Sequence, residues 1–386
     1  MKKLRVGVIY GGRSGEHEVS VASAAAVFKN LPRSRYEPVA IRIDKDGRWS
    51  LPDRPPTALA ASEVIEQSRV ATAHPVRPGR EAHLVAYPAE DTLLTIDRRK
   101  AAKGEAEESA RVTGLGLDVV FPVLHGPHGE DGTVQGLLEL SNVPYVGAGV
   151  LASAVGMDKA FMKVAFAARA LPIAEYRTLL FGDWTTHRDA SVASIETLGY
   201  PVFVKPANLG SSVGISKAKT RQDLVTAVDL AFEYDRKVVV EAAVPAAREL
   251  EVGVLGNDAP EASVAGEIIP GREFYDYEAK YLDGGSTTRV PADLDPAMQA
   301  DVKRLAIEAF KAIDCSGMAR VDFLLSKETG RLYVNEINTI PGFTTISMYS
   351  QLWAASGVDY PALLDRLIKL AIERHAEKQR LKTSAS

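Results

Sequence analysis

Strand-like and helix-like segments alternate through the first third of this chain, and this alternation limits the possible folds more than any other feature. Residues 4–10 are predicted as a strand, residues 17–29 as an Ala- and Val-rich helix, and residues 36–43 as a second strand. Residues 117–124 form a nearly continuous apolar run, typical of a strand buried on both faces, and residues 133–140 are predicted as a helix. This pattern predicts an α/β fold with a parallel sheet and right-handed crossovers.

The stretch from about residue 44 to residue 111 interrupts that pattern. Residues 53–56 and 74–79 are rich in proline, and residues 97–111 are highly charged. We interpret the stretch as an insertion that carries a hairpin or two and a mobile, solvated charged segment.

A second region of alternating elements begins near residue 157. It contains predicted helices at 158–170, 221–234, 296–313 and 361–378, and predicted strands at 201–205, 237–241, 250–255, 262–269, 318–325 and 332–337. The last helix is amphipathic. A length of 386 residues fits two or three domains.

Composition excludes several classes of protein. The net charge of −4 and the isoelectric point near 6.1 give no electrostatic reason to expect nucleic acid or an anionic membrane as a partner. No apolar stretch approaches the roughly 18 to 20 residues of a membrane-spanning helix, so no membrane insertion is expected. The single cysteine, Cys315, excludes an intrachain disulfide and a cysteine-based zinc site. A cytoplasmic protein is expected.

Four polar residues stand at alternate positions of the last two predicted strands: Arg320, Asp322, Glu336 and Asn338. Because strand side chains alternate, the two members on each strand share a face, and the turn at residues 327–330 suggests a hairpin. Two carboxylates and an amide oxygen are ligands that Mg²⁺ prefers, often together with nucleotide phosphates. The other interpretation is the solvent-facing side of a hairpin.

The register of this hairpin decides whether the four groups converge. Asp322 lies opposite Glu336 only if the connecting loop has an odd length. A four-residue loop that pairs Ser326 with Arg331 would place the two carboxylates on opposite faces. The sequence leaves both registers open.

A loop of small residues follows the predicted strand that ends at Lys205. It contains Gly210, Ser211, Ser212 and Gly214. Backbone N–H groups of such a loop can bind phosphates, and the lysine adds a positive charge. The loop is not a Walker A motif, and a purely structural turn is the alternative.

Two further candidates follow the strands of the first region. Glu16 stands in a glycine-containing junction between strand and helix, where it either caps the helix or binds an ammonium group. His125 ends a buried strand, and ligands of open α/β sheets gather at the carboxyl ends of strands. A structural role for His125 is the alternative, and the spacing of its neighbours fits no familiar zinc pattern.

Taken together, these segments resemble the D-alanine–D-alanine ligases of the ATP-grasp superfamily over nearly the whole chain. The matching segments are GGRSGEHEVS at 11–20, LHGPHGEDGTVQG at 124–136, MDK at 157–159, GSSVGISK within 205–217, FYDYEAKY at 274–281, residues 320–322, and NEINTIPGFTTIS at 335–347. The resemblance implies an N-terminal α/β domain at 1–156 with the insertion at about 44–111, a central domain at 157–245 and a C-terminal domain at 246–386, the last two clamping ATP. It also implies the ligation of two D-alanines through an acylphosphate, for peptidoglycan precursor synthesis.

The resemblance assigns a nucleotide and metal site in the second region. Lys159, Lys205 and Lys280 would contact ATP, with Gly210 and Ser212 in the loop over its phosphates, and Asp322, Glu336 and Asn338 would bind Mg²⁺ or Mn²⁺. Adenine would lie against residues 241–244, through Glu241, Ala242 and Val244, with Glu249 on the ribose. Many relatives carry lysine where this chain has Ala242, which leaves one adenine contact open.

The resemblance also assigns an amino-acid site. Glu16 would hold the ammonium group of the first D-alanine, and His125 would also bind substrate. Ser347 and Met348 would bind the second D-alanine, and Arg320 and the N–H of Gly342 would bind the oxyanion. Ser211 and Tyr281 would form a hydrogen-bonded trio with Glu16. Tyr281 stands where the related depsipeptide ligases use a histidine, a difference that favours D-alanine over D-lactate as acceptor.

Three other functions are alternatives to D-alanine–D-alanine ligation. A D-alanine–D-serine or D-alanine–D-lactate ligase differs in the loop around Tyr281. A regulatory protein that has lost catalysis would lack Arg320, Asp322 or Glu336, and all three are present. A Rossmann dehydrogenase would need the GxGxxG fingerprint, which is absent. Family resemblance implies a homodimer, with D-alanine and ATP as the small-molecule partners and no nucleic acid.

Overall fold

The computed structural model describes residues 2–58, 60–71, 80–99, 109–270, 286–344 and 346–382. The chain forms two compact units. The first consists of Met1–Val150, Gly342–Ser350 and Val358–Ser386, and the second of Leu151–Pro341 and Gln351–Gly357. The sequence-based assignments to Lys280 and Tyr281 lie outside the described residues, as does the middle of the predicted mobile segment at 97–111. The two ends of that segment, residues 97–99 and 109–111, are instead paired with each other as strands.

Helices and strands follow one another through both units. In chain order the described elements are β1 (Leu4–Gly11), α1 (His17–Asn30), β2 (Tyr36–Ile43), β3 (Trp49–Leu51), α2 (Ala61–Ala71), β4 (Arg80–Leu84), β5 (Leu93–Arg99), β6 (Ser109–Leu115), β7 (Val119–Val123), α3 (Thr133–Leu140), α4 (Val150–Met157), α5 (Lys159–Ala168), β8 (Tyr176–Leu180), α6 (Phe181–Thr186), α7 (Arg188–Glu196), β9 (Val202–Pro206), β10 (Ser216–Ala218), α8 (Arg221–Ala231), β11 (Lys237–Ala242), β12 (Ala247–Gly256), β13 (Glu261–Pro270), β14 (Ser286–Arg289), α9 (Pro296–Ala312), β15 (Gly317–Ser326), β16 (Leu332–Asn338), α10 (Met348–Ala355) and α11 (Tyr360–Gln379).

One sheet organises the first unit. Its strand order within the described residues is β6-β5-β4-β3-β2-β1-β7. β1 pairs in parallel with β2 and β7, as predicted, and all five residues of β7 are buried. The insertion does not form a separate body, because β3, β4, β5 and β6 continue the same sheet by antiparallel pairing from the edge of β2. The prediction of hairpins in this stretch is therefore confirmed.

The second unit contains two antiparallel sheets in its described residues. One has the order β10-β9-β11-β8, and the other has the order β14-β13-β12-β15-β16. Valines of β9 and β11 pack against α7 and α8 in the core of the first of these sheets. Thr220 and Asp223 form a reciprocal capping box that fixes the start of α8.

Several element boundaries differ from the sequence-based prediction. The helix expected at 158–170 begins at Lys159, because the Asp158 side chain accepts hydrogen bonds from the first-turn N–H groups of Ala160 and Phe161. The elements β8, α6 and α7 fall in a stretch for which we predicted no structure. Among the described residues, none of the helices combines the length and the apolar character needed to cross a bilayer.

Candidate active site

The junction between β1 and α1 positions the first group of candidate residues. Gly11 and Gly12 both have positive φ, at 93° and 101°, and a Cβ at Gly11 would collide with the carbonyl oxygen of Ile43. The Gly12 N–H donates to that same oxygen at 2.9 Å. Only glycine allows this close approach, so the pair turns the chain sharply at the carboxyl end of the sheet.

Glu16 occupies the N-cap position of α1, but its carboxylate makes no capping hydrogen bond to that helix. Its Oε2 atom lies so close to the Gly126 backbone that a Cβ at Gly126 would be 2.6 Å away. The carboxylate is therefore directed toward the end of β7 rather than toward the first turn of its own helix. This placement disfavours the capping interpretation and agrees with a ligand-binding role.

Serine hydroxyls connect this junction to β7 through main-chain atoms. Ser14 Oγ donates to the His125 carbonyl at 2.6 Å and accepts from the Glu16 N–H at 3.2 Å. Ser20 Oγ accepts from the Gly11 N–H at 2.7 Å and donates to the carbonyl of Val123. The loop that carries Glu16 is thus held against the strand that ends at His125.

Ser23 brings a distant segment to the same place. Its Oγ lies 3.2 Å from His125 Nε2 and accepts from the Phe343 N–H at 3.2 Å. The Phe343 ring is fully buried and meets Phe121 of β7 edge-on, with 5.6 Å between ring centroids. Tyr360 OH donates to the Phe343 carbonyl, so both main-chain polar groups of this residue are bonded.

The segment that follows Gly342 is closed by its own side chains. A Cβ at Gly342 would lie 2.9 Å from Ser347 Oγ, which accepts from the Thr344 N–H at 3.0 Å. Met348 begins α10 and is buried. Within the first unit, Ser14 and Ser23 therefore connect the Glu16 loop, His125 and the start of the segment that follows Gly342.

The hairpin of β15 and β16 carries the second group of candidates, and its register answers the question that the sequence left open. Ser326 N–H donates to the Arg331 carbonyl at 3.0 Å, which closes a four-residue loop. Asp322 nevertheless lies opposite Glu336, and Arg320 opposite Asn338. A β-bulge at Asn335 supplies the extra residue, so the expectation that this loop length separates the carboxylates was wrong.

Arg320 lies between two carboxylates. Its Nε and Nη2 donate to the two oxygens of Asp322, each at 2.7 Å, and its Nε lies 3.1 Å from Glu251 Oε2. Burial acts to lower the pKa of Arg320, but the charges of Asp322, Glu251 and Glu336 outweigh it and hold that pKa well above its ordinary value. The guanidinium stays charged at any physiological pH.

The oxygen-donor set of this hairpin fits a hard divalent cation. Asp322 and Glu336 are cross-strand neighbours, and Asn338 lies on the same face of β16 two residues further on. Across the described ranges, no three His, Cys, Asp or Glu side chains are grouped to hold a metal by themselves. A cation here would need the Asn338 amide and oxygens from a ligand such as a phosphate.

A buried ion cluster joins β9, β11 and α5. Lys205 Nζ donates to Glu241 Oε2 at 3.0 Å, Lys163 Nζ lies 3.2 Å from Glu241 Oε1, and Lys205 Nζ also approaches Asn335 Oδ1 at 3.4 Å. Burial acts to raise the pKa of Glu241, but the two lysines outweigh it and lower this pKa to about 2. Burial lowers the pKa of Lys163. One carboxylate is thus shared by two cations.

The loop after β9 is anchored at its start. Asp235 Oδ2 accepts from the Asn208 N–H at 2.8 Å and from its Nδ2 at 2.9 Å, and Lys159 Nζ donates to the Leu209 carbonyl at 2.6 Å. Ser211, Ser212 and Gly214 have positive φ, and a Cβ at Gly214 would lie 2.9 Å from the Pro206 ring. Lys159, Lys205 and Gly210–Ser212 therefore belong to one part of the second unit.

The residues expected to contact adenine lie at the end of β11. The Glu241 carboxylate is bonded to the two lysines, and the Ala242 N–H donates to the Glu175 carbonyl at 2.9 Å. That N–H is therefore already bonded within the protein and is not available as a donor to a nucleobase. Glu249 lies on β12 opposite Leu324, one strand away from the metal-ligand candidates.

Three residues in these sites were missed at the level of sequence. Lys163 stands four residues after Lys159, which places both on one helix face. Glu251 interrupts an apolar strand two residues after Glu249, a pattern that indicates a partnered buried charge. Ser23, in a helix of small residues, carries no comparable signal.

Two family models match successive parts of the chain. The family model described as D-ala D-ala ligase N-terminus matches residues 5–148, and the family model described as D-ala D-ala ligase C-terminus matches residues 165–369. A D-alanine–D-alanine ligase of Bacillus cytotoxicus is 46% identical over 383 residues, covering 99% of both chains. One of Heliobacterium modesticaldum is 49% identical over 382 residues, covering 98% of both.

Two solved structures also align with nearly the whole chain. The D-alanine–D-alanine ligase from Coxiella burnetii aligns with a TM-score of 0.79 and 38% identity, over 98% of this chain and 97% of that one. The VanG D-Ala:D-Ser ligase from Enterococcus faecalis also aligns with a TM-score of 0.79, with 31% identity, over 96% of this chain and 100% of that one.

Proposed function

Since the chain belongs to the D-alanine–D-alanine ligase family, we propose that it joins two molecules of D-alanine, with ATP as co-substrate, to make D-alanyl-D-alanine for peptidoglycan precursor synthesis. The enzyme is an ATP-dependent ligase of the ATP-grasp type. The observation that carries this conclusion is the match of both family models, over residues 5–148 and 165–369, to one chain that also aligns end to end with such ligases.

The reaction we propose has two steps. A carboxylate oxygen of the first D-alanine takes the γ-phosphoryl group of ATP, and ADP leaves. The amine of the second D-alanine attacks the carbonyl carbon of this acylphosphate, loses a proton, and phosphate leaves as the peptide bond forms. Both steps depend on positioning and on the neutralisation of charge more than on covalent help from the protein.

We assign the phosphate-binding role to the lysine-bearing part of the second unit. Lys205 and Lys159 provide positive charge beside a loop whose residues Ser211, Ser212 and Gly214 have positive φ. Successive N–H groups of such a loop can face an anion. Gly210 belongs to the same loop, and Lys280, outside the described residues, is assigned to ATP by resemblance.

Adenosine binding is assigned to the end of β11 and the start of β12. Because the Ala242 N–H donates to Glu175, we place adenine recognition on the remaining main-chain groups of Ala242 and Val244. Glu241 stabilises Lys205 and Lys163, and Glu249 is assigned to the ribose.

We propose Asp322, Glu336 and Asn338 as the ligands of Mg²⁺, with Mn²⁺ as a substitute. Their oxygen donors and their convergence on one face of the hairpin support this choice. When bound, a divalent cation would neutralise charge on the β- and γ-phosphate oxygens. Arg320, which is held at the same hairpin, is assigned to the oxyanion that forms at the carbonyl carbon in the second step.

The amino-acid side is assigned to the first unit. The Glu16 carboxylate, directed toward Gly126, would hold the ammonium group of the first D-alanine. His125 is assigned to substrate binding by resemblance. The Gly342 N–H would donate to the oxyanion, and Ser347 and Met348 would bind the second D-alanine. Ser211 and Tyr281 are proposed to complete a hydrogen-bonded trio with Glu16, which would exclude water from the acylphosphate.

The division into three domains also remains our proposal, with bounds at 1–156, 157–245 and 246–386. The four-stranded sheet of β8–β11 falls within the second of these ranges and the five-stranded sheet of β12–β16 within the third, which supports it. We further propose that the enzyme is a cytoplasmic homodimer, as family resemblance implies.

The test is phosphate release from ATP and Mg²⁺ with D-alanine, combined with mass analysis of the product. We expect ADP, phosphate and D-alanyl-D-alanine in equal amounts. L-alanine should be a far poorer substrate, because a site shaped around one chiral centre misplaces the amine of the other enantiomer. Folded protein that releases no phosphate with millimolar D-alanine would refute the assignment.

Similarity to the VanG structure supports a second candidate, a D-alanine–D-serine ligase. The same assay with D-serine and D-lactate as competing acceptors separates the candidates. A mixed dipeptide or depsipeptide as the main product would favour the alternative.

A further inference from the structure

Glu251 is a buried carboxylate for which the proposed reaction has no role. It lies on β12 directly opposite Asp322 of β15, and its side chain is 8% exposed. Its Oε2 atom is 3.1 Å from Arg320 Nε, the same nitrogen that donates to Asp322 Oδ1 at 2.7 Å. Arg320 therefore touches two carboxylates, one on its own strand and one on the neighbouring strand.

Arg320 contacts its two carboxylate partners in different ways. The guanidinium fork binds both oxygens of Asp322, each at 2.7 Å. Asp322 is also a proposed metal ligand, so a cation and Arg320 compete for the same carboxylate. A buried guanidinium that loses its carboxylate partner is strongly destabilised. An enzyme that uses both groups needs a second acceptor for Arg320.

We propose that Glu251 is this acceptor, a positioning residue that keeps the Arg320 guanidinium in place when Asp322 binds a divalent cation. The inference depends on the proposed function, because it uses the metal site assigned there. Glu251 acts through Arg320 and does not itself touch a substrate.

The charges of the cluster agree with this role. Asp322, Glu251 and Glu336 are negative and Arg320 is positive, which leaves a net charge of two units that a divalent cation would balance. Glu251 is not a third carboxylate ligand of the same ion, because no three acidic or histidine side chains of the described residues are grouped around one point. Glu251 lies opposite Asp322 on the neighbouring strand, and its carboxylate contacts Arg320 instead.

The experiment is a double-mutant cycle read by Mn²⁺ binding, measured by electron paramagnetic resonance in the presence of ADP. The variants of the full chain are Glu251→Gln, Arg320→Met and both together. We expect Arg320→Met to tighten Mn²⁺ binding, because it removes the competitor for Asp322. Glu251→Gln should weaken Mn²⁺ binding by about tenfold, because the arginine then keeps Asp322.

The double variant decides the mechanism. If Glu251 acts through Arg320, the substitution Glu251→Gln should change Mn²⁺ affinity by less than about twofold in the Arg320→Met background. Equal weakening in both backgrounds would show that Glu251 acts on the metal directly, and would overturn the inference. So would the absence of any effect of Glu251→Gln in the parent enzyme.

Two further measurements separate positioning from a general structural role. At saturating Mg²⁺, Glu251→Gln should lower kcat by about tenfold with little change in the KM for ATP, and Glu251→Asp should restore part of the loss. If Glu251→Gln does not fold, the same cycle is run with Glu251→Asp. An equal loss in both variants would speak for packing and against positioning.

The failure of this inference can be distinguished from the failure of the proposed function. Glu336→Gln should weaken Mn²⁺ binding whatever Glu251 does. If Glu336→Gln leaves Mn²⁺ affinity unchanged, the metal site itself is misassigned. If Glu336→Gln weakens binding but Glu251 and Arg320 act independently, only the positioning role fails.

Discussion

Two regions of the molecule are held together by different kinds of contact. In the first unit, the hydroxyls of Ser14, Ser20 and Ser23 form hydrogen bonds with main-chain atoms around the proposed amino-acid site. In the second unit, Arg320, Lys163 and Lys205 form ion pairs around the proposed metal and phosphate site. In the first case the shortest contacts join a hydroxyl to a carbonyl, such as Ser14 Oγ to the His125 oxygen at 2.6 Å. In the second they join full charges, such as Arg320 to Asp322 at 2.7 Å. We call these regions the hydroxyl end and the charged end.

The difference has consequences for how each end responds to ligands and to pH. A hydroxyl that is bonded to main-chain groups holds the backbone in place. It stays uncharged near neutral pH and keeps the same hydrogen-bond partners. A buried arginine or lysine with two acidic or amide neighbours can exchange partners when a phosphate or a cation arrives. We therefore expect the hydroxyl end to keep its shape and the charged end to exchange partners when a ligand binds.

The largest expected effect falls at the charged end, on Glu336. Glu336→Gln keeps the shape of the side chain and removes one negative charge from the proposed metal site. We expect kcat to fall by about 10²- to 10³-fold, since a metal ion contributes several kcal/mol of charge stabilisation. Phosphate release at saturating ATP and varied Mg²⁺ measures the effect.

The matched control for Glu336 is Glu328→Gln, which makes the same change on the exposed turn of the same hairpin. It should leave kcat within about twofold of the parent, because exposed charges far from a site contribute little. Near-normal activity of Glu336→Gln at limiting Mg²⁺ would remove Glu336 from the set of ligands.

The next effect is on stability and concerns Glu241. Glu241→Gln leaves Lys163 and Lys205 buried without their shared carboxylate, and the loss of one partner from such a group costs about 3 to 5 kcal/mol. We expect a melting temperature lower by roughly 10 °C, followed by circular dichroism. Glu233→Gln, at an exposed position after α8, is the control and should melt like the parent.

The same carboxylate gives a pH dependence with a definite sign. The pKa of Glu241 is lowered from 4.5 to about 2, so the folded chain holds its proton less tightly than the unfolded chain does. This contribution, about 3 kcal/mol, is complete above pH 4.5 and is lost as the pH falls toward 2. The difference in melting temperature between parent and Glu241→Gln should therefore shrink below pH 4.5, and a constant difference would contradict the ion-pair account.

The fold of the two ends could be predicted from sequence to different extents. The elements β1, α1, β2 and α3 begin and end within about a residue of the predicted positions, because their apolar patterns are strong. The insertion could be recognised as a stretch with one or two hairpins, but the positions of its strands could not be predicted. Its strands are short and polar, and their place in the sheet depends on antiparallel partners that lie far apart in sequence.

Contacts within the candidate sites were harder to predict than the residues themselves. The motifs identified Asp322 and Glu336, but the bulge at Asn335 that brings them opposite each other arises from pairing with β15 and has no local signature. Lys163 could have been found from its helical spacing to Lys159. Ser23 could not, because its two partners are more than 100 residues away along the chain.

A smaller effect is expected at the hydroxyl end, from Ser23→Ala. The substitution removes the acceptor of the buried Phe343 N–H and the hydroxyl beside His125 Nε2. Leaving a buried donor unsatisfied costs about 1 to 3 kcal/mol. We expect the KM for D-alanine to rise by about tenfold, with the KM for ATP nearly unchanged, because the displaced groups belong to the proposed amino-acid site.

Ser34→Ala, on an exposed turn of the same unit, is the control for Ser23. Steady-state kinetics with each substrate varied in turn provide the measurement. An equal rise in both KM values would mean that Ser23 supports the whole fold rather than the amino-acid end.

The smallest expected effect is a flat response to pH in the choice of acceptor, and it falls on Tyr281. In the related depsipeptide ligases a histidine serves near the second-substrate site, where its protonated form repels the ammonium group of D-alanine and favours D-lactate. A tyrosine hydroxyl ordinarily ionises only near pH 10, so it offers a hydrogen bond without charge, like the serines of the hydroxyl end.

We expect D-alanyl-D-alanine to be the main product from about pH 6 to pH 9 when D-alanine and D-lactate compete as acceptors. Tyr281→Phe is the variant that removes only the hydroxyl. Product analysis at pH 6, 7.5 and 9 is the measurement. Dominant D-alanyl-D-lactate at pH 6 would place a titrating cation at the acceptor site and move the enzyme to the depsipeptide class.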